Sequence, residues 1–380
     1  MTLLLLVVGA GLLYLLQLLV VRLMWTRKLS VHAAFVAQSV REDESTELQI
    51  DVINAGLLPM LPVRVQCAVD CGLDFGKQAN LAVSDKNYLS EVFSLKGQEK
   101  VSRTIPLYCA ARGFYRIDTM SLIGTDLFCT KTLHTEIPME TNMCVLPGHV
   151  DAKRLMVASK RLMGENIVQR APLTDPFTLR GIRSYMPGDP MKDINWKASA
   201  RTGDIKVNVH DYTVDQEVII VLDVQWDLLL RPHELLEENI RIAANLADEM
   251  VGKGVPTSFV SNGQDLLTGA AVRMEAGADR RHAEALNYNL ARIALAHERD
   301  TSAQEMLTEL GKELEARSDR AQTAVLITCQ VGDELQELWQ RVSSACSHAV
   351  RIQTYYHRGD LPEGLFGSTD VMGWEVFSGR

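Results

Sequence analysis

Val218-Ile219-Ile220-Val221-Leu222-Asp223 is the stretch of sequence that decides the fold of the C-terminal half of the chain. Five consecutive β-branched or aliphatic residues without polar alternation are typical of a strand that is buried on both faces, as in a parallel sheet. Asp223 marks the end of this strand. We therefore expect further buried strands, joined by helices that cover the two faces of one sheet.

The sequence downstream of this strand alternates between helical and strand patterns. Apolar residues recur every three or four positions from Leu236 to Met250, which predicts an amphipathic helix. The other predicted elements are strands at 257–260 (closed by Asn262-Gly263), 324–328 and 350–355, and helices at 302–316 and 333–342. Such alternation indicates an open α/β fold with a parallel sheet over residues 214–380.

Directly upstream, residues 175–212 are rich in Arg, Asp, Gly, Pro and Trp and follow no simple apolar period. A helix predicted at 151–165 leads into this segment. Pro187-Gly188 predicts a type II turn, because proline fixes φ and glycine accepts a positive φ. Asp193 and Gly203 are suitable residues to begin and end a short helix.

On that short helix, residues four positions apart share a face. Asn195 and Ser199 therefore form a polar edge, and Trp196 and Ala200 form an apolar edge. A tryptophan in such a position is more often a core anchor than an exposed contact, so we expect Trp196 to be buried.

Three arginines of this segment, Arg180, Arg183 and Arg201, leave two interpretations open. Their guanidinium groups could bind the carboxylates of a partner, or a phosphate, through paired donors. Alternatively, they pair inside the domain with Asp189 and Asp193.

An ordered string of residues runs through this segment: Gly181, Arg183, Tyr185, Pro187-Gly188-Asp189, Ile194-Asn195-Trp196, Ser199-Ala200-Arg201 and Val207. This string resembles a known family, the bacterial and archaeal domain of unknown function 58, often encoded beside MoxR-type AAA+ ATPases. Weaker agreement extends upstream to residues 112–116, 126–128 and 145–147.

The resemblance implies a von Willebrand factor A-like α/β domain and a MoxR-type AAA+ ATPase as partner. It also implies that residues 151–213 form a family motif region that serves in interaction and not in catalysis. The candidate interaction residues are Arg180, Arg183, Tyr185, Gly188, Asp189, Asn195, Trp196, Ser199 and Arg201.

In that comparison Asp223 stands where a metal-ion-dependent adhesion site would begin. A working site reads Asp-x-Ser-x-Ser, since Mg²⁺ takes hydroxyl and carboxylate oxygens, but residues 223–227 read Asp-Val-Gln-Trp-Asp. The later strand ends in Thr328-Cys329-Gln330, where an Asp would be expected. We therefore interpret Asp223 and Asp227 as a degenerate site, with Asp223 a structural strand-end residue, and we expect no metal or other cofactor.

Residues 29–148 have the pattern of antiparallel β structure. Apolar and polar residues alternate at 48–52 and 63–69, and turn residues such as Asn54-Ala55-Gly56 separate the runs. Regular short strands of this kind predict a β-sandwich-like, immunoglobulin-like domain.

Residues 1–21 contain no charged side chain and are long enough to cross the ~30 Å hydrocarbon core. We predict a transmembrane anchor at residues 1–24; a signal peptide is the competing interpretation, but no basic residue precedes the apolar run. Arg22, Arg27 and Lys28 follow, so the positive-inside bias predicts a single-pass cell-membrane protein with the N-terminus outside and the bulk cytoplasmic.

Composition excludes some classes of function. The chain has 39 Lys and Arg against 48 Asp and Glu, a net charge of −9, which argues against a general nucleic-acid binder. Seven scattered cysteines fit a reducing compartment. Cys67 and Cys71 lack a second pair at zinc spacing, so we expect them to share one face of a strand.

The favoured function is a membrane-anchored, non-enzymatic scaffold or adaptor that works with a MoxR-type AAA+ ATPase in protein-complex assembly or maturation. One alternative is a hydrolytic or transfer enzyme that uses Tyr185, Asp189, Asn195 and Ser199 of the polar motif at 180–201. The other is an extracytoplasmic adhesion or metal-binding protein, which requires the opposite topology. No phosphate loop, zinc-protease motif or nucleophile elbow occurs in the sequence.

Overall fold

The computed structural model describes residues 2–76, 81–83, 86–163, 174–185, 191, 194–212, 217–226, 233–295, 302–316, 322–362, 365 and 370–377. The chain divides into two compact units. The first comprises Met1–His149 with Asn287–Ile293, and the second comprises Val150–Leu286 with Ala294–Arg380.

The first unit begins with a long apolar helix, α1 (Thr2–Lys28), and continues as β structure. Its strands are β1 (Leu29–Phe35), β2 (Ser39–Arg41), β3 (Ser45–Asn54), β4 (Met60–Asp70), β5 (Leu73–Asp74), β6 (Leu81–Val83), β7 (Lys86–Leu95), β8 (Glu99–Cys109), β9 (Gly113–Thr125) and β10 (Thr132–Leu146). They form two sheets, in the orders β1-β3-β8-β5 and β2-β10-β9-β4-β7-β6.

The two sheets share one hydrophobic core, as expected of a sandwich. Leu48 and Ile50 of β3 contribute from one sheet, and Phe93 of β7 and Ile117 of β9 contribute from the other. The strand patterns explain this placement, because alternate side chains of β7 are buried and the others are exposed or half-buried.

After His149 the chain becomes a mixture of helices and strands. The elements are α2 (Ala152–Met163), β11 (Thr174–Ser184), α3 (Trp196–Thr202), β12 (Lys206–Tyr212), β13 (Val218–Leu222), α4 (His233–Gly252), β14 (Thr257–Asp265), β15 (Ala271–Gly277), α5 (Arg280–Ala291), β16 (Ile293–Ala294), α6 (Ala303–Ala316), β17 (Thr323–Thr328), α7 (Asp333–Ala345), β18 (His348–Tyr355), a 3-10 turn (Arg358–Asp360) and β19 (Val371–Glu375).

The main sheet of the second unit has the order β15-β14-β13-β17-β18-β19. Its neighbours β14, β13, β17, β18 and β19 run parallel, while β15 pairs antiparallel with β14. Every residue of β13 and of β17 is buried, which confirms the prediction made from their continuous apolar runs. The carboxyl ends of β13, β17 and β18 therefore meet at one edge of the sheet.

Several sequence predictions were wrong. Asn262-Gly263 does not close the second strand, since β14 continues to Asp265. Between Asn262-Gly263 and residue 302, where no element was predicted, the chain forms β15 and α5. Cys71 lies in the exposed turn after β4, so it does not share a strand face with the buried Cys67.

Candidate functional site

The motif helix α3 is short and is fixed at both ends by hydrogen bonds. The Asn195 side-chain oxygen accepts a bond of 2.9 Å from the Ala198 backbone N–H, so Asn195 is the N-cap. Gly203 has φ +78° and closes the C-terminus, as predicted, with its N–H bonded to the Ser199 carbonyl. The prediction of Asp193 as the N-cap was wrong, and that residue lies outside the described part of the chain.

The polar edge of α3 faces the neighbouring strand β12. The Ser199 hydroxyl donates to the Asn195 carbonyl at 2.8 Å and accepts the Lys206 backbone N–H at 2.8 Å. The Asn195 N–H donates to the Lys206 carbonyl at 2.8 Å. These bonds attach the helix to β12, so the polar residues of the motif perform a structural task.

The apolar edge of α3 faces outward. Trp196 is 67% exposed, so the expectation that it is a core anchor was wrong. The physical reason is the seven-residue length of the helix, whose inner face is occupied by Asn195 and Ser199. Two more large apolar side chains adjacent in sequence, Met191 and Ile205, are also exposed. The apolar edge of the motif is therefore open to solvent and not packed into a core.

The other motif residues are only partly defined. Arg180 and Arg183 lie on β11, where Arg183 pairs with Val207 of β12. Tyr185 follows β11 and its N–H donates to the Ile205 carbonyl at 2.9 Å. Arg201 is exposed on the last turn of α3. Gly188, Asp189 and Asp227 lie outside the described residues, so both interpretations of the arginines stay open.

A second cluster of polar groups lies at the carboxyl edge of the main sheet, around Asp223. Its carboxylate is completely buried and accepts bonds from the Asn262 side-chain amide at 2.8 Å and the Thr328 hydroxyl at 2.6 Å. The Gln225 backbone N–H adds a third bond at 3.0 Å. Asn262 in turn accepts the Val224 N–H, which explains why it is not a turn residue.

Arg351 on β18 places a buried guanidinium group at the same edge of the main sheet. Its side chain donates to the Gln353 side-chain oxygen at 2.7 Å and to the Gln330 carbonyl at 2.8 Å. Burial lowers the pKa of Arg351 to about 10, and the negative charge of Asp223 acts in the opposite direction. The guanidinium of Arg351 therefore supplies positive charge near the buried carboxylate of Asp223.

Residues 181–362 match the model of the family described as "Protein of unknown function DUF58". This part of the chain is a DUF58 domain. The match confirms the resemblance seen in the string from Gly181 to Val207. The weaker agreement upstream of residue 181 lies outside the matched segment.

No curated protein matches the chain. Among solved structures, it is similar to the CARDB domain of a Pyrococcus furiosus protein, with 16% identity, a TM-score of 0.20, and coverage of 29% of this chain and 91% of that one. It is also similar to a β-glucosidase from Listeria innocua, at 12% identity, TM-score 0.18, and 31% and 17% coverage. A third similar structure is the Pseudomonas fluorescens alkylpurine DNA glycosylase AlkC, with 10% identity, a TM-score of 0.18, and coverage of 30% of each chain. At these TM-scores the likenesses support no conclusion about this chain.

The arrangement around Asp223 in the DUF58 domain is suited to structure more than to metal binding. Within the described ranges, no group of three or more His, Cys, Asp or Glu side chains is placed to hold a metal ion. Donors from Asn262, Gln225 and Thr328 already occupy both oxygens of the Asp223 carboxylate. Sequence reasoning found Asp223 and Thr328 but missed Asn262 and Arg351, although a charged residue inside the apolar run of β18 was a usable signal.

Proposed function

We propose that the chain is a membrane-anchored, non-enzymatic scaffold whose DUF58 domain, similar to a von Willebrand factor A domain, binds a MoxR-type AAA+ ATPase through the α3 surface. The α3 surface is defined as Met191, Trp196, Arg201 and Ile205. The observation that carries this proposal is the exposure of Trp196 at the first turn of α3. Exposed tryptophan and arginine are the residue types that most often dominate protein interfaces.

The environment of the motif's polar groups supports binding over catalysis. A hydrolytic or transfer site needs a nucleophile beside a base. The Ser199 hydroxyl instead donates to a backbone carbonyl, and Asn195 caps a helix. Both groups hold α3 on β12, and the apolar edge of α3 faces outward, where a partner can reach it.

The position at the membrane is supported by α1. Residues Leu4–Lys28 form a helix with a mean hydropathy of 2.6, long and apolar enough to cross a bilayer. Arg27 and Lys28 form its last turn. The positive-inside bias favours a cytoplasmic location for both folded units, where an ATP-driven partner would be available.

The partner is tested by recovery from native membranes. The full chain, solubilised with a non-hydrolysable ATP analogue present, is expected to retain an AAA+ ATPase. Trp196→Ala should reduce this recovery several-fold, because it removes the central apolar contact without touching the bonds to β12. Phe377→Ala is the matched control, since Phe377 is an exposed aromatic side chain away from the motif in sequence. Equal recovery with Trp196→Ala, or no ATPase at all, would count against the proposal.

The topology is tested separately by reporter fusions. A reporter that is active only in the cytoplasm, placed at the exposed C-terminal side of α1 after residue 30, should be active. A reporter that is active only outside the cytoplasm should be silent at the same position. The reverse result would support the extracytoplasmic adhesion alternative.

A further inference from the structure

The hairpin formed by β9 and β10 lies alongside the apolar helix α1. The Trp25 indole N–H donates to the Thr135 hydroxyl at 2.8 Å, and eleven residues earlier the Tyr14 hydroxyl lies 2.9 Å from the Thr130 hydroxyl. Eleven helical residues rise roughly 17 Å, and the five residues from Thr130 to Thr135, which run from the turn into β10, reach at most roughly 17 Å. The two contacts are therefore in register, and the end of the hairpin runs along the helix axis.

The helix and the hairpin are fitted closely to each other. A Cβ at Gly124 would lie 2.4 Å from the Trp25 ring, so a side chain there would overlap the indole. The partly buried positions of α1 include Tyr14, Gln17, Val21 and Met24, which follow the three- and four-residue spacing of one helix face. This face is the one that contacts the hairpin.

Several polar groups at the turn of the hairpin are paired with one another or with α1. Asp126 accepts the Lys131 backbone N–H at 2.8 Å, the Thr130 hydroxyl at 2.7 Å and the Gln17 side-chain amide at 3.1 Å. The Asp126 N–H donates to the Lys131 carbonyl, and the Cys129 N–H donates to the Asp126 carbonyl. These bonds pair the Asp126 carboxylate and the backbone N–H groups of Asp126 and Cys129, which lowers the cost of moving these groups away from water.

The depth of the contact follows from α1 itself. Tyr14 lies eight residues before Arg22, the first basic residue after the apolar run, which is roughly 12 Å along the axis. Amphipathic segments that bind membranes enter the headgroup and acyl boundary by about 5–10 Å. If α1 spans the bilayer, the turn beside Tyr14 lies at or below that boundary.

The side chains at the turn and at a neighbouring loop are apolar and exposed. Leu127 and Phe128 project from the turn, and Leu57 and Leu58 project from the loop between β3 and β4. Leu58 and Leu127 also line an apolar cavity of about 220 Å³ together with Val20, Val21 and Met24 of α1. These exposed apolar side chains extend the apolar surface of α1, so they are suited to the same lipid environment as the helix.

We propose that the collar of Leu57, Leu58, Leu127 and Phe128 inserts into the bilayer beside α1, and that acyl chains of the membrane lipids fill the cavity. This inference rests on the proposed membrane anchoring. It makes the first unit a body fixed against the membrane by three contacts, because the helix and both loops enter the same lipid layer. The unit is then held in a defined orientation and does not swing on a single helix.

The test uses the full chain in phosphatidylcholine vesicles, with a nitroxide label at Leu127→Cys. The accessible thiols Cys71, Cys129 and Cys329 are first replaced by serine. The matched control is Leu266→Cys in the second unit, since Leu127 and Leu266 are 58% and 56% exposed. We expect the label at residue 127 to collide preferentially with oxygen, and the label at residue 266 to collide preferentially with a water-soluble nickel chelate.

A second label, at Leu57→Cys, lies in a different loop and is therefore unaffected if the label at residue 127 disturbs the hairpin. We expect it, too, to collide preferentially with oxygen. Flotation of the vesicles distinguishes failure of the α1 anchor from failure of the collar. Chain that floats while both labels report water overturns the collar and leaves the anchor in place. Chain that does not float overturns the anchor, and the collar with it.

Discussion

Asp223 and Thr328 end two neighbouring parallel strands, β13 and β17, and are joined by a bond of 2.6 Å from the Thr328 hydroxyl to the Asp223 carboxylate. Both residues are completely buried. The bond links the carboxyl ends of the two strands inside the domain, at the edge where open α/β sheets usually bind ligands.

Thr328→Val tests the value of this bond. The substitution keeps the shape of the side chain but removes the donor, which leaves a buried carboxylate oxygen short of a partner. We expect a loss of about 1–3 kcal/mol in the free energy of unfolding, measured by urea denaturation of the full chain in detergent micelles. Thr308→Val is the matched control, because the Thr308 hydroxyl bonds only its own helix, at the Gln304 carbonyl, and should cost less. Equal effects of the two variants would contradict this prediction.

Mg²⁺ should not bind stoichiometrically at Asp223. Calorimetric titration of the wild-type chain is expected to give only the heat of dilution, because the Asp223 oxygens already accept bonds from Asn262, Gln225 and Thr328. Asp223→Asn serves as the control for any signal. A heat with a defined stoichiometry that disappears in Asp223→Asn would overturn this interpretation of the site.

The sequence predicted the fold class more accurately than it predicted the ends of the strands and helices. The strand β13 is apolar throughout, and β17 is apolar between its two terminal threonines; burial on both faces is the only way to remove such runs from water. The edge strands β15 and β19 carry mixed patterns and were missed, because pairing with a neighbour and not local composition stabilises them. Asn262-Gly263 has the composition of a turn, but the Asn262 side chain bonds Asp223 and Val224, so β14 continues.

The candidate site was predicted in part. Residue spacing gave the two faces of α3 correctly, but it could not tell which face is inward. The answer depends on the Lys206 backbone groups of β12, which bond Ser199 and Asn195 and draw the polar edge inward. Trp196 was therefore assigned to the core when it is exposed. The position of Arg351 near Asp223 depends on strand order, which no local pattern encodes.

Replacement of the caps of α3 should weaken the motif without unfolding the domain. Gly203→Ala places a Cβ on a residue at φ +78°, which is strained although the surrounding space is open. Asn195→Ala removes the bond to Ala198. Each variant is expected to cost on the order of 1 kcal/mol in local stability, seen as faster hydrogen exchange at the α3 amides. Gly269→Ala, at φ +66° in the β14–β15 turn, is the control and should leave α3 unaffected. Unchanged exchange in both α3 variants would show that the caps do not hold the helix.

The cysteines should divide sharply by reactivity. Burial raises the pKa of the Cys67 thiol to about 12 and those of Cys109, Cys144 and Cys346 to about 11, so these thiols stay protonated near neutral pH. Cys71 and Cys129 are exposed. Maleimide labelling of the native chain in micelles, read by mass spectrometry, is expected to modify Cys71 first and to reach the buried four only after denaturation. Cys129 directly follows Phe128 of the collar, so we expect it to react more slowly than Cys71. Early labelling of Cys67 would contradict the burial of its strand.

Asp51 on β3 gives the first unit a defined dependence on acid. A bond from the Lys100 ammonium on β8, with help from Gln49, lowers the pKa of Asp51 from 3.8 to about 2. A carboxyl whose pKa is lower in the folded than in the unfolded state contributes stability above its unfolded pKa, and this stability is lost as the pH falls through the folded value. We expect a contribution on the order of 1 kcal/mol after solvent screening, present above about pH 4 and lost towards pH 2. Asp51→Asn should remove this contribution at neutral pH. It should also flatten the dependence of the free energy of unfolding on pH below pH 4, as measured by urea denaturation.

Asp118→Asn is the control, because Asp118 and its partner Arg116 are both exposed and such pairs contribute little. An acid profile that is identical in wild type and Asp51→Asn would show that the bond to Lys100 does not stabilise the pairing of β3 with β8.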